Sequence, residues 1–319
     1  QREWMRGEVL ETQLAYWREK LSGAPASPPL PTDHARPARQ TYAGAKESLL
    51  LLPASRLQPL QALSRQEGAT RFMIFLAAFE VLLYRYTGQE DIVVGTPIAN
   101  RSRVEVENLI GFFLNTLVLR TDLTGEPTFR EVLDRVRQVA LEAYTHQDLP
   151  FEKLVEELQP ERDLGHSPLF QVLFVYVPGQ RQIREVSALR FQHLEGAGGT
   201  AKFDLSLFMR DEAGGLRGTI EYNTDLFEAA TMQRMLGHLK NLLEGIMEDP
   251  DQPVARLPML AESERQQLLV DWNDTRIDYA RDGCVQHLFE AQVARTPDAV
   301  AVQFEGKALS YRALNAQAN

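Results

Sequence analysis

The chain has 319 residues, is 44% hydrophobic and 24% charged, and carries a formal net charge of −10. This acidic balance argues against a nucleic-acid partner, because phosphates are bound by an excess of lysine and arginine. Its single cysteine, Cys284, excludes an internal disulfide and a cysteine zinc site, and fits a reducing, cytoplasmic setting. The most apolar run, residues 72–84, is shorter than the roughly 20 residues that span a membrane, so it predicts a buried helix and no membrane partner.

The first half of the chain predicts alternating helices and strands. A helix runs to residue 21, with Trp4 and Trp17 among its apolar positions, and clustered prolines predict an extended linker over residues 22–39. The next predicted elements are a strand over 47–52, helices over 55–67 and 70–88, strands over 91–99 and 110–123, and a helix that Thr128 opens. That helix ends at a corner before Pro150, and a short helix follows over residues 151–158.

The middle of the chain continues this alternation. Its predicted elements are strands over 169–177, 184–194, 203–210 and 216–223, then a core helix over 229–247. A chain that mixes strands with long amphipathic helices predicts an α/β sandwich, in which helices cover a sheet.

The character of the sequence changes after residue 250. Residues 251–282 predict a linker with one short acidic helix, and residues 283–319 predict a helix, a strand and a second helix. This last unit is too short to build its own core, so we expect it to be the opening of a further domain. Both ends of the chain fall within predicted helices, and we therefore expect a piece of a longer polypeptide.

His146 and Asp148 form the first candidate for catalysis, because a histidine beside a carboxylate can act as a general base. The alternative is a structural helix corner, in which Asp148 satisfies backbone amides of the next turn. Pro150 and Glu152 favour the structural interpretation, since proline and an acid are typical of the first helical turn.

Other polar groups give weaker signals. Asp163, His166 and Ser167 include the residue types of a nucleophilic triad, but the chain has no Gly-x-Ser-x-Gly elbow, so a hydrolase is disfavoured. The glycine-rich residues 196–200 lack a phosphate-binding motif, and the six histidines are scattered, which predicts no metal site. Asn100, at a strand end, either points into a cleft or forms a turn.

Three motifs in order carry a family resemblance. They are Ile-Gly-Phe-Phe-Leu-Asn-Thr-Leu-Val-Leu-Arg at residues 110–120, His-Gln-Asp-Leu-Pro-Phe-Glu at 146–152, and Arg-Asp-Leu-Gly-His-Ser-Pro-Leu-Phe at 162–170. In type, order and spacing they resemble signature motifs of the condensation domains of nonribosomal peptide synthetases. Further landmarks of this family resemble residues 95–101 (Gly-Thr-Pro-Ile-Ala-Asn-Arg) and 202–205 (Lys-Phe-Asp-Leu). Asp-Trp-Asn-Asp-Thr at 271–275 is similar to the linker that follows such a domain. Residues 287–290, 296–301 and 309–315 are similar to the start of an adenylation domain.

The resemblance implies a chloramphenicol-acetyltransferase-like fold of two lobes with a tunnel between them. In that fold a carrier-bound amine attacks a carrier-bound thioester and a peptide bond forms. The family's catalytic His-His-x-x-x-Asp-Gly motif is absent here, so we expect residues 1–250 to be the C-terminal lobe only, inactive alone and without a catalytic residue.

The implied partners are the N-terminal lobe, the upstream and downstream carrier domains and the adenylation domain. No cofactor is expected to bind directly, and phosphopantetheine would arrive on the carriers. By resemblance, Asn100 points toward the tunnel. The motif residues expected to shape the lobe are Asn115, Arg120, His146, Asp148, Arg162 and Asp163.

Two alternatives remain open. The chain is a non-catalytic docking or scaffold piece, or it belongs to a related epimerising or dual-function domain. A lobe without its partner would expose an apolar face, and we therefore expect the chain to self-associate.

Overall fold

The computed structural model describes residues 4–25, 30–101, 104–159, 165–179, 184–186, 189–191, 199–276 and 284–319. They fall into two compact units, Gln1–Glu264 and Arg265–Asn319. The strands are β1 Gly44–Pro53, β2 Asp91–Ile98, β3 Asn115–Asp122, β4 Val172–Val177, β5 Arg184–Val186, β6 Leu189–Phe191, β7 Leu205–Glu212, β8 Gly215–Asn223, β9 Val300–Phe304 and β10 Lys307–Ser310. The α-helices are α1 Glu8–Leu21, α2 Leu57–Gln66, α3 Arg71–Thr87, α4 Val104–Glu107, α5 Phe129–Thr145, α6 Phe151–Leu158, α7 Ala229–Glu248, α8 Glu262–Leu269, α9 Val285–Arg295 and α10 Tyr311–Ala318, with short 3₁₀ turns at Ala54–Arg56 and Asp271–Asn273.

Six strands of the first unit form a mixed sheet in the order β1-β8-β7-β4-β2-β3. The β1–β8, β8–β7 and β2–β3 pairs are antiparallel, whereas β7–β4 and β4–β2 are parallel. Helix α3 packs against α5 and α7, and α7 packs along β1. The predicted α/β fold with a helix-covered sheet is therefore confirmed.

Threonine side chains cap the N-termini of α3 and α5, two helices that contribute many residues to the core. Thr70 accepts a hydrogen bond from the Met73 amide at the start of α3. Thr128 and Glu131 bond each other's backbone amides at the start of α5, at 2.7 and 3.3 Å. Helix α3 is then buried almost all round, as its apolar sequence predicts. Within the described residues, no helix is both long enough and apolar enough to cross a membrane.

Three predicted elements differ from the structure. The first helix begins only at Glu8, after Gly7 in a left-handed conformation, and Trp4 lies in a turn before it. The strand predicted over residues 110–123 begins at Asn115, because residues 109–112 are exposed and have no strand partner. The strand predicted over 184–194 is instead the short antiparallel pair β5 and β6.

The second unit holds the hairpin of β9 and β10 and the helices α9 and α10. Strand β10 was not predicted from the sequence. None of its described elements buries a side chain. The domain boundaries at residues 250 and 282 stay predictions.

Candidate functional site

Four of the five stretches that the sequence singles out meet around one aromatic ring, that of Phe170, and the fifth joins them through a hydrogen bond between Asn115 and Phe151. Its centroid lies 5.6 Å from the Phe151 ring and 5.0 Å from the Phe203 ring. Gly95 lies against the same ring, since a Cβ at that position would come within 2.2 Å of the Phe170 Cε2 atom. We call Gly95, Asn115, Phe151, Phe170 and Phe203 the motif cluster. It joins all five stretches, which are far apart along the chain.

Asn115 fastens the first motif to the second. Its amide nitrogen donates to the carbonyl oxygens of Gln147 and Leu149, at 2.9 and 2.8 Å. Its amide oxygen accepts from the Phe151 backbone N–H at 3.0 Å. Helix α6 begins at Phe151, and its N-cap residue Pro150 provides no side-chain cap. A side chain from β3 therefore satisfies the first amide of α6 and fixes the corner before it.

His146 lies at this corner and is held by α1. Its ring stacks on Tyr16, with centroids 3.8 Å apart and planes 5° apart. Its Nδ1 lies 2.9 Å from the Glu142 carbonyl oxygen, which can only accept, so this contact requires a hydrogen on Nδ1. Trp17 Nε1 donates to the His146 carbonyl oxygen at 3.0 Å. The side chain and backbone of His146 thus both take part in attaching α1 to the corner.

The electrostatics of the corner reflect this packing. Burial, assisted by the charge of Glu142, raises the pKa of the Tyr16 hydroxyl well above its usual range. Tyr16 therefore stays neutral beneath the His146 ring. Asp148 is half-buried at the same corner.

Arg120, at the other end of the first motif, ties α1 to the sheet. Its Nε and Nη2 donate to the Asp91 carboxylate at 2.9 and 2.8 Å, which raises the pKa of the guanidinium. Its Nη1 donates to the carbonyl oxygens of Lys20 and Ser22, at 3.0 and 2.7 Å. These carbonyls lie at the C-terminal end of α1, where helix acceptors need partners.

The third motif enters β4 through a hydrogen-bonded turn. The fully buried Gln171 side chain bonds the Ser167 backbone amide and carbonyl, at 3.1 and 2.5 Å. The Ser167 Oγ accepts from Gln40 Nε2 at 3.1 Å. Ser167 is therefore engaged in a turn, as predicted, and these contacts lend no support to a hydrolase. Arg162, Asp163 and most of the glycine-rich loop lie outside the described residues.

The landmark at residues 202–205 is also fastened by a charged pair. Both carboxylate oxygens of Asp204 accept from the two terminal nitrogens of Arg36, and the same guanidinium donates to the Gly165 carbonyl oxygen at 3.2 Å. Asp204 is buried, so this two-point pair holds the proline-rich segment onto the third motif.

Asn100 follows β2 and has a backbone φ of +51°. Asparagine tolerates this left-handed conformation better than most residues, so a turn explains its presence there. The next residue, Arg101, organises the segment that follows. It donates to the carbonyl oxygens of Val106, Glu107 and Leu109, and its guanidinium lies 4.2 Å from the Phe113 ring centroid.

We call residues 104–114 the outer segment. It holds large apolar side chains toward solvent, namely Val104, Leu109, Ile110, Phe112 and Leu114. Ile110 and Phe112 are 105% and 85% exposed. A contiguous apolar stretch of this kind marks a contact surface.

In chemical terms the motif cluster is a structural junction. The polar atoms of Asn115 are all bonded to backbone, and the aromatic members carry no ionisable group. Across the described ranges, no group of three or more His, Cys, Asp or Glu residues is arranged to hold a metal.

A model of the condensation domain family matches residues 1–269. The chain belongs to the condensation domain family. This condensation domain is 54% identical over 325 residues to one of the linear gramicidin synthase proteins of Brevibacillus parabrevis, covering 100% of this chain and 6% of that protein. It is 43% identical over 319 residues to malpinin synthetase of Mortierella alpina, covering 100% of this chain and 4% of that protein. The chain thus spans only a small part of its curated relatives.

Solved structures agree. The X-domain from teicoplanin biosynthesis matches with a TM-score of 0.72 and 29% identity, over 81% of this chain and 59% of that one. A four-domain nonribosomal peptide synthetase bound to AMP and glycine matches with a TM-score of 0.77, over 96% of this chain and 24% of that one. Its 24% identity shows the fold alone. The resemblance to condensation domains of nonribosomal peptide synthetases is confirmed.

Sequence reasoning named Asn115 and Arg120, but it did not identify the residues outside the motifs that hold them in place. Four residues outside the motifs make these contacts, namely Tyr16, Trp17, Arg36 and Gln171. One signal was available for Trp17, because a buried indole N–H needs an acceptor. The acceptor itself is 129 residues away, and no local pattern indicates it.

Proposed function

We propose that this chain supplies the C-terminal lobe of a two-lobed condensation domain that forms peptide bonds within a nonribosomal peptide synthetase. Residues 251–282 would be the linker, and residues 283–319 the start of an adenylation domain. The observation that carries this proposal is the junction of five family landmarks in one cluster, in a chain that has no adjacent pair of histidines.

The proposed reaction joins two carrier-bound substrates. The acceptor amine nitrogen attacks the donor thioester carbonyl carbon, the C–N bond forms, and the C–S bond breaks. The departing thiolate takes up the proton that the amine loses. Phosphopantetheine belongs to the carrier domains and acts here as a substrate tether.

In this proposal the motif residues act as structural supports. Asn115, Arg120 and His146 hold α1, β3 and the corner at residues 146–152 in one arrangement through the contacts described above. Asp148 completes the same corner, and Asn100 turns the chain into the outer segment. The group that handles the amine proton would come from the other lobe. That lobe would dock on a surface of this chain that includes the outer segment.

An assay of the isolated chain tests this proposal. The chain is mixed with donor and acceptor aminoacyl carriers, and dipeptidyl carrier is measured by mass spectrometry beside a two-lobed condensation domain as the positive control. We expect no product above background from the chain alone. Product that disappears in His146→Ala would contradict the proposal and make His146 catalytic.

A docking or scaffold role is a second candidate, which the exposed outer segment favours. It predicts that the inactive chain still binds a first lobe or a carrier domain. Binding measured by surface plasmon resonance would separate this role from mere inactivity. For the epimerising alternative, the chirality of the product from a reassembled two-lobed domain is the deciding measurement.

A further inference from the structure

A cavity of about 420 Å³, wide open to solvent, lies between the C-terminal end of α3, one face of α7 and the segment at residues 31–33. Its walls include Arg85, Tyr86, Arg234, His238 and Met259. None of these residues belongs to the motif cluster or the outer segment. The cavity is therefore separate from both of these regions.

Two guanidinium groups line this cavity, and among the described residues neither forms a salt bridge, although the charge of Arg234 helps to lower the pKa of Glu264. Arg85 Nη1 donates to the carbonyl oxygens of Val254 and Leu257, at 3.1 and 3.0 Å. Arg234 Nη2 donates to Thr231 Oγ1 at 2.8 Å. In the part of the chain that the structure describes, neither guanidinium has an acidic oxygen within 4.0 Å. Burial lowers the pKa of Arg85, so its charge is held at a cost that a bound anion would relieve.

The carboxylates nearby have other partners. Asp33 accepts from the Glu228 backbone amide and from Thr231 Oγ1, at 2.8 and 2.9 Å, at the start of α7. Glu264 accepts from His238 Nε2 at 3.0 Å and from the Ala261 backbone amide at 2.7 Å. Both carboxylates are thus engaged by other donors, and the two guanidinium groups keep hydrogen-bond donors for a ligand.

Tyr86 and His238 make the cavity wall rigid. The Tyr86 hydroxyl lies 2.7 Å from His238 Nδ1. Burial raises the pKa of Tyr86 to about 12, so the hydroxyl keeps its proton. The Glu264 carboxylate can only accept, so its contact requires a hydrogen on His238 Nε2, while the Tyr86 hydroxyl bonds the other ring nitrogen, Nδ1. This hydrogen-bonded chain fixes both rings beside the two guanidinium groups.

We propose that this cavity binds a phosphate group, as free phosphate or on a small phosphate ester, through Arg85 and Arg234. Guanidinium groups match the oxygens of a tetrahedral oxyanion and bind them with charge-assisted hydrogen bonds. The volume exceeds that of phosphate, and Tyr86 and Met259 offer apolar walls for the body of an ester. This inference does not depend on the condensation assignment.

Calorimetric titration of the full chain with inorganic phosphate, at constant ionic strength, tests the proposal. We expect saturable binding that Arg234→Gln weakens at least about tenfold, because the variant loses charge-assisted hydrogen bonds to the phosphate oxygens. Arg234→Gln removes only one side-chain hydrogen bond inside the protein, and its fold is checked by circular dichroism. Arg137→Gln, which loses a surface pair with Asp134 on α5, is the matched control and should bind as the wild type does.

Further arms separate the sources of binding. Arg85→Lys keeps the charge but loses the planar donor set, and should also weaken binding even if Arg234→Gln fails to fold. A phosphate ester such as glycerol phosphate that binds more tightly than inorganic phosphate identifies an ester site. Three results would overturn the proposal. They are the absence of saturable phosphate binding, equal phosphate affinity in Arg234→Gln and Arg137→Gln, and binding of acetate as tight as that of phosphate.

Discussion

The motif at residues 110–120 passes through two opposite environments. Its first half lies in the outer segment, where Ile110 and Phe112 face solvent. Its second half is β3, where Asn115, Leu117 and Leu119 are buried. The difference shows that one continuous apolar motif serves two purposes, because half of it packs inside the chain and half is available for a contact outside it.

Asn115→Ala tests the buried half and has the largest expected effect. It leaves the carbonyl oxygens of Gln147 and Leu149 and the amide of Phe151 without a partner, so the free energy of unfolding should fall by about 4 kcal/mol in urea titrations. Asn241→Ala, which removes one bond to the Met259 carbonyl oxygen, is the matched control and should cost about 1 kcal/mol. Equal losses would contradict the role of Asn115 at the corner.

Glu80 of α3 sharpens the comparison, because it is a buried carboxyl group that packs beside β3 and is only partly hydrogen-bonded. Thr121 of β3 donates to its Oε1 at 3.1 Å, while Oε2 has no hydrogen-bond partner among the described residues. Burial outweighs that hydrogen bond and raises the pKa of Glu80 from 4.5 to about 8. The folded chain thus holds a proton that the unfolded chain loses. Stability should therefore fall as pH rises from about 5 to about 8, by on the order of 3 kcal/mol.

Glu80→Gln removes this titration. The stability of the variant relative to the wild type should increase with pH across that range, measured by urea unfolding at several pH values. Glu105→Gln, at an exposed site, should leave the pH dependence unchanged. A constant difference between Glu80→Gln and wild type at every pH would show that Glu80 does not keep its proton.

Trp17→Phe is expected to have a smaller effect on the buried side. It removes the bond from the indole N–H to the His146 carbonyl oxygen and leaves a small void, so thermal unfolding should reveal a loss of about 2 kcal/mol. Trp4→Phe is the control, since Trp4 lies in an exposed turn, and it should change stability by less than about 0.5 kcal/mol. Similar losses in both would mean that the indole bond contributes nothing.

Replacing Ile110 and Phe112 together by serine should have the smallest effect on stability, within about 0.5 kcal/mol, because neither side chain is buried. The same double variant should reduce self-association measured by light scattering. Leu141→Ser, at an exposed site on α5, is the control and should leave self-association unchanged. A wild-type chain that is already a monodisperse monomer would contradict the predicted self-association.

Local chemistry made much of the fold predictable. Thr70 and Thr128 mark helix starts because their side chains cap backbone amides, and the apolar stripe of α7 follows from its spacing. The limit is visible at residues 110–114. An apolar run has the same pattern whether it packs inside the chain or against another body, so a strand was predicted where the outer segment lies.

The motifs that form the motif cluster could be recognised in the sequence, but the contacts that bring them together could not be predicted. Asn115 was expected, by resemblance alone, to shape the lobe, and its partners lie 32 to 36 residues away. Arg36 meets Asp204 across 168 residues. Such pairs depend on the way the strands are ordered in the sheet, and this order is not written in any local pattern.

Hydrogen exchange measured by mass spectrometry tests most directly the claim that this chain is one lobe whose outer segment faces another. The chain is compared with a fusion that places it behind the first lobe of a related condensation domain from linear gramicidin synthase. We predict that amides of residues 104–114 exchange rapidly in the chain alone and become protected in the fusion, while residues 146–152 exchange equally in both. Unchanged exchange over residues 104–114 would contradict the account.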